Sequence, residues 1–391
     1  MNDASTIPPS RQPDFVLQIN LATPKPQSNE QSKEQTSTNT EDAGLKLTTD
    51  DSTINVVGQL FRLEIYAEQP LTDDERANVQ NWLTPTIVPL ITMLHQHLSL
   101  QLEVFECLCL VESPILGEII YQVQREKGLR PVYTGQEGYY HTAAKTVSYL
   151  TDEGKVKSTV ICNFDIFGKT VEALRSGKPY SEWEVGEQLS YYVLAHEVGH
   201  VLDAYARKDV SVDETVGIEE RDWEKISAHY APMLFHEHLA CVLASESVTA
   251  QLQTDMLDNW HEETEHLTSL LNRKRLAFAS DVREIAGYFW IVLLQLAKLL
   301  GHDRDDEGFP AIAFGEEEWE ELETIEARRE IVAGLSQTLI EFRSNYPDTP
   351  SEEEITKLLT PYFLRLAASY GYYLREEDFP SDDPYEDNEA I

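Results

Sequence analysis

Apolar positions change their spacing partway along this chain. Up to about residue 165 they alternate or run in short blocks; from Glu182 almost to the end they recur at helical spacing. Leu60, Arg62, Glu64 and Tyr66 interleave with Phe61, Leu63, Ile65 and Ala67 as a strand would, and Asp73 to about His97 reads as a helix that Pro85 and Pro89 should kink or split. A second strand is expected from about Leu100 to Val111, then a short helix around Leu116 to Val123 and a loop marked by Gly128, Pro131, Gly135 and Gly138. Thr146–Leu150 and Ser158–Phe164, separated by Asp152-Glu153-Gly154-Lys155, read as a hairpin. Strands grouped ahead of helices predict an α+β fold: a small mixed β-sheet part, a helical half, and a mostly helical C-terminal region.

The ends have a different texture. Residues 1–56 are rich in Ser, Thr, Asn, Gln, Pro and Glu and are expected to be a disordered arm; 376–391 form an acidic tail broken by Pro380 and Pro384. Between them the expected division is 57–256, β-rich to about 165, and a helical 257–375. The apolar run Ile285–Leu300 contains Gln295 and Lys298 and falls short of a bilayer span, so it reads as a buried core helix.

Charge narrows the partners. Among 391 residues, 69 acidic side chains face 31 basic ones, a formal charge of -38. That surface repels phosphate backbones, which disfavours nucleic acid and favours a basic peptide or protein. Cys107, Cys109, Cys162 and Cys241 lie in apolar stretches without paired Cys-x-x-Cys spacing, so buried reduced thiols are expected. With no basic stretch followed by an apolar core at the N-terminus, the expected location is cytoplasmic, with no membrane partner.

The segment His196-Glu197-Val198-Gly199-His200 carries the chemistry. On a helix, residues four apart share a face, so two imidazoles reach one ion, while Glu197 is offset enough to stay off the metal yet take a proton from water that the metal holds. One zinc ion per chain is the expected cofactor. Leu194, Val198, Val201 and Leu202 should bury this helix, and Gly199 should admit a close neighbour. A third ligand is needed. Glu237 is the choice, because Ala240, Cys241 and Ala244 follow it on a small-residue face that would let its helix press against the first; His236 and His238 are the alternatives. Asp203 shares the histidines' face and is a candidate acceptor for a ligand imidazole, against a plain capping role. Tyr230, just before Pro232 in the expected first turn of the Glu237 helix, is a candidate oxyanion stabiliser or simply a packed ring. His261 and His266, five apart, would splay on a helix and read as packing.

The stretch His196-Glu-Val-Gly-His-Val-Leu-Asp-Ala-Tyr-Ala206 resembles the zinc helix of the anthrax lethal factor catalytic-domain family, His-Glu-x-Gly-His-x-x-Asp-x-Tyr-Ala. Ser227-Ala-His-Tyr230 and Glu237-His-Leu-Ala240 are similar to that family's Ser-Tyr and Glu-Phe-Phe-Ala segments. The resemblance spans roughly 182–250 and implies a gluzincin-type zincin metallopeptidase with zinc helices at 182–206 and 232–252. It implies His196, His200 and Glu237 as ligands, Glu197 as base and Tyr230 at the oxyanion; Cys241 stands where the family often has an acidic residue. Ala206 occupies the place of the third histidine of astacin-like enzymes. Intracellular regulator-cleaving peptidases with the same first motif are a looser likeness. The expected activity is hydrolysis of a peptide bond in a protein substrate paired along Ser158–Phe164. The competing expectation is a non-catalytic zincin-fold sensor or interaction protein that binds a partner through its helical region and acidic ends.

Overall fold

A six-stranded mixed sheet carries one face of the molecule's first core. The computed structural model describes residues 10–22, 53–54, 58–98, 104–129, 143–208, 210, 223–274, 282–302 and 322–372. Its strands are β1 (Phe15–Ala22), β2 (Thr53–Ile54), β3 (Gly58–Tyr66), β4 (Phe105–Val111), β5 (Ala144–Leu150) and β6 (Val156–Asn163), in the order β2-β1-β3-β4-β6-β5. β1 and β3 are antiparallel, β3, β4 and β6 are mutually parallel, and β5 returns antiparallel to β6 at the edge. Thr151 N bonds Lys155 O and Gly154, at φ 72°, takes the left-handed position in the turn between β5 and β6.

Period-two alternation gives the sheet two different faces. Leu63 and Ile65, Leu108 and Leu110, and Val160 and Cys162 bury against α1 (Asp73–Leu98), α3 (Phe164–Ser176) and α4 (Val185–Arg207). Tyr66, Cys107, Cys109, Val111 and Ile161 bury on the other side under α2 (Leu116–Glu126). The remaining helices are α5 (Trp223–Ala244), α6 (Ala250–Lys274), α7 (Val282–Gly301), α8 (Leu322–Ser344) and α9 (Glu352–Ser369). They enclose a second core around Phe235, Trp260, Phe289, Trp290, Leu335 and Phe363. The fold is α+β, as the sequence pattern predicts. Among the described residues no helix is long and apolar enough to cross a membrane; the apolar run of α7 is core, with Phe289, Trp290, Leu293, Leu296 and Ala297 fully covered.

Several expectations need correction. The N-terminal arm contains β1, paired residue by residue with β3 from Phe15↔Ile65 to Ala22↔Gly58; most of the rest of that arm, and all of 376–391, lie outside the described residues. Pro85 and Pro89 do not split α1, which runs unbroken through both. β6 ends at Asn163 because that side chain caps α3, accepting from the N–H of Asp165 and Ile166, an arrangement that stabilises by about 1 kcal/mol. The helix that carries Glu237 starts nine residues before Pro232, so the proline lies inside α5, and the helix ends at Ala244 rather than 252. Residue 256 falls within α6, and α5 contributes Ala231, Leu234, Phe235 and Leu239 to the second core. The helical C-terminal region is therefore continuous with the site-bearing part, not an appendage to it.

Candidate metal centre

Helix α4 is buried on nearly all sides, as befits a core helix. Its start is held by Glu184, whose backbone N–H donates to Glu187 Oε2 at 2.8 Å, and its last turn by Arg207, whose Nε and second amino nitrogen each donate at 2.8 Å to Asp203. Helix α5 crosses it at one point of backbone contact. A Cβ on Gly199 would sit 2.6 Å from Ala240 O, closer than real contacts allow, so only glycine permits this approach. The small-residue register of α5 is what the sequence pattern implies, with Ala240, Cys241 and Ala244 all fully covered.

That crossing aims Glu237 at both histidines. His196 Nε2 lies 3.0 Å from Glu237 Oε2, and His200 Nε2 lies 3.4 Å from Glu237 Oε1. One donor atom from each of the three residues falls within 4.8 Å of the others. Two N or O donors about 2.0 to 2.1 Å from a tetrahedral zinc sit roughly 3.3 Å apart, so the spacing suits such an ion, and two imidazoles with one carboxylate is a donor set zinc accepts. The alternatives point elsewhere. His236 Nδ1 faces Asp203 Oδ2 at 3.3 Å, and His238 Nδ1 faces Ala297 O at 2.9 Å in the buried α5–α7 seam.

Glu197 stands beside the triad, 9 % exposed. Thr146 Oγ1 of β5 lies 2.8 Å from both Glu197 Oε2 and Glu197 O, tying the carboxylate to the edge strand of the sheet. The strand that touches α4 at Glu197 is thus β5. β6, expected to pair with substrate, is hydrogen-bonded on both sides, to β4 and to β5, and has no edge to offer.

Two expected supporting residues make contacts away from the triad. Asp203 does not reach a ligand imidazole: its carboxylate is taken by Arg207 and faces His236. It shares the face of His196 but lies about two turns further along α4, roughly 10 Å on, where it meets Arg207 and His236 instead. Cys241 does that work instead, with Sγ 3.5 Å from His196 Nδ1, in the place where the resemblance anticipates an acidic residue. Tyr192 continues the chain, its OH 3.3 Å from Cys241 Sγ and 2.9 Å from His302 Nε2. Tyr230, two turns before Glu237, stacks on Trp290 with ring centroids 6.2 Å apart and planes 8° from parallel, its hydroxyl against Gly287. These contacts are with α7.

Lys298 is the member that sequence reasoning missed. From α7 its Nζ lies 2.8 Å from Glu237 Oε2, and it is two-thirds covered. A lysine inside an apolar helical run is a signal in itself, since burying an ammonium requires a partner. Burial alone would raise the Glu237 carboxyl, but Lys298, His196 and His200 outweigh it and hold it well below the usual range. Burial alone would lower Lys298, and Glu237 with Cys241 outweighs that and raises it. His196 is pushed up to about 10, burial working against the anionic neighbours Cys241 and Glu237 that prevail; a metal ion arriving there displaces a proton.

In comparisons with protein-family models, characterised proteins and solved structures, none matches this chain.

Proposed function

We propose that the protein is a zinc-dependent metallopeptidase of gluzincin type that hydrolyses a peptide bond in a protein or peptide substrate. One observation carries this reading: His196, His200 and Glu237 converge from two helices with metal-ligand spacing, while Glu197, between the histidines, is excluded from the triad and held by Thr146. His196, His200 and Glu237 would hold one zinc ion. When bound, zinc polarises a carbonyl and makes water a nucleophile near neutral pH. Glu197 would take up a proton from water at the site and deliver it to the leaving amine. Cys241 fixes the orientation of the His196 ring from behind, and Lys298 supplies positive charge beside the ligand carboxylate, where negative charge on a substrate oxygen would be offset. The edge of β5, the last strand of the sheet, is the natural template for an extended substrate, because its side chain Thr146 touches the proposed base. The chain's charge of -38 favours a basic substrate.

One observation favours the non-catalytic sensor reading: Lys298 competes for the Glu237 oxygen that faces His196, which weakens the hold on a metal and suits reversible binding. A single comparison separates the two. Wild type and Glu197→Gln should both carry about one zinc at this centre, and only wild type should cleave members of a denatured protein pool read by mass spectrometry. Zinc in both with cleavage in neither would leave a metal-binding module, and loss of neither metal nor activity in His196→Ala would remove the centre altogether.

A further inference from the structure

On the far side of the sheet, under α2, a second set of metal-ligating groups meets. Parallel register sets Glu64 of β3 opposite Cys109 of β4, and Arg62 opposite Cys107. Residues i and i+2 of a strand share a face, so both thiols and the carboxylate point the same way while Leu108 turns into the main core. Cys107 Sγ and Cys109 Sγ are 3.6 Å apart, and Cys109 Sγ is 3.6 Å from Glu64 Oε2. All three residues are buried, and their donor atoms lie within 4.8 Å of one another.

We infer that Glu64, Cys107 and Cys109 form a second metal site, distinct from the His196 centre, that takes a thiophilic divalent cation such as zinc. The spacing supports it. On a tetrahedral zinc with sulfur at about 2.3 Å and oxygen at about 2.0 to 2.2 Å, two sulfurs lie roughly 3.8 Å apart and a sulfur and an oxygen roughly 3.5 Å. The surroundings of the carboxylate support it too. Glu64 Oε1 is engaged by Arg62 at 2.5 Å, and Tyr66 OH donates to Oε2 at 2.6 Å, so the group is held from outside while one lone pair of Oε2 stays directed at the thiols. Charge suits a divalent ion. With both thiols deprotonated on binding, they and the carboxylate carry three negative charges; Arg62 supplies one positive charge and a divalent cation two, leaving a neutral cluster. Arg62, half-exposed, places the cluster one side chain from solvent. The thiols supply two ligands on one strand, and the site bridges β3 to β4, so its ion would fasten the central strand pair of the sheet.

The test counts metal in the full-length protein. After dialysis with reductant against metal-free buffer and reloading with zinc, mass spectrometry should find about two zinc per chain in wild type, about one in His196→Ala and about one in Cys107→Ser/Cys109→Ser. Glu64→Gln, nearly isosteric, should weaken the second ion without unfolding the sheet. Loaded with cobalt in its place, His196→Ala should show a thiolate-to-metal charge-transfer band that vanishes when Cys109→Ser is added. One zinc in wild type, lost wholly in His196→Ala, would overturn the second site, as would a cobalt band indifferent to Cys109, or a Cys107–Cys109 disulfide that persists in reductant. Loss of the first centre alone would leave the second site's zinc and band in place, so the two proposals fail separately.

Discussion

Lys298 Nζ and His196 Nε2 meet the same oxygen of Glu237, at 2.8 Å and 3.0 Å. The ammonium therefore stands where it both neutralises the ligand carboxylate and repels an incoming cation. Truncating it should act in opposite directions on the two states of the protein. Lys298→Met should raise zinc affinity about tenfold, since a hydrogen bond to a charged group contributes roughly 1.5 to 3 kcal/mol and part of it is lost on metal binding. The metal-free protein should lose about 1 to 3 kcal/mol of stability, because the carboxylate keeps His196 and His200 but loses its charged donor, and zinc should restore most of it. Chelator-competition titration and thermal melts with and without zinc check this; weaker zinc binding would mean that Lys298 positions Glu237 rather than competing for it.

The α4–α5 crossing makes a sharper steric prediction. Gly199→Ala forces a Cβ to 2.6 Å from Ala240 O, a backbone atom that has no rotamer to yield. The helices must separate, costing about 1 to 3 kcal/mol and moving Glu237 off the histidines, so zinc content should fall with stability. Gly186, on the same helix, would meet only Lys169 Nζ at 3.9 Å, and Gly186→Ala should be neutral or stabilise by up to about 1 kcal/mol. Urea melts of the pair, with zinc assay, distinguish a local clash from a general intolerance of α4.

These two cases show what the sequence could and could not convey. Gly199, Ala240 and Ala244 are small residues in helical register, and the close approach they permit was legible from spacing alone. So were the histidine pair, the hairpin and the helix after β3. Lys298 was not, because its partner is distant in sequence and an isolated lysine in an apolar run looks like an interruption. β1 has a period-two pattern in Phe15, Leu17, Ile19 and Leu21, but the polar composition around it outweighed eight residues of signal. Pro232 misled about where α5 begins: a proline suits a first turn, yet here it sits in mid-helix, where the Ala228 carbonyl forgoes its usual donor. Asp203 shares the face of His196, but its partner is set by the register of His236 on α5, which spacing along α4 does not reveal.

Asp203 gives a pH dependence whose sign is fixed. Burial alone would raise its carboxyl, but His236 and Arg207 outweigh burial and hold it below the usual carboxylate range. A group whose folded value is depressed stabilises the fold above its unfolded value, near 3.9, and that contribution disappears as pH falls through the folded value. Stability should thus drop from about pH 4 downward. Asp203→Asn should lower stability at neutral pH by about 3 to 5 kcal/mol, leaving Arg207 buried without its carboxylate, and should flatten the acid limb. Urea midpoints from pH 7 to pH 3 measure both; an unchanged acid limb would assign the loss to other carboxylates.

Thr146 offers the cleanest separation of metal binding from chemistry. Its hydroxyl reaches Glu197 Oε2 from the edge strand and touches no ligand of the triad, so it governs where the proposed base points without holding the ion. Thr146→Val keeps the branched shape in the strand and removes the donor. Zinc content and melting temperature should remain close to wild type, while the rate of peptide cleavage should fall about 10- to 100-fold, the cost usual for an outer hydrogen-bond partner. Thr146→Ser, which restores the hydroxyl, should recover most of the rate. Equal rates for wild type and Thr146→Val would mean that Glu197 is oriented by its helix alone, and a loss that Thr146→Ser fails to rescue would assign the effect to strand packing instead.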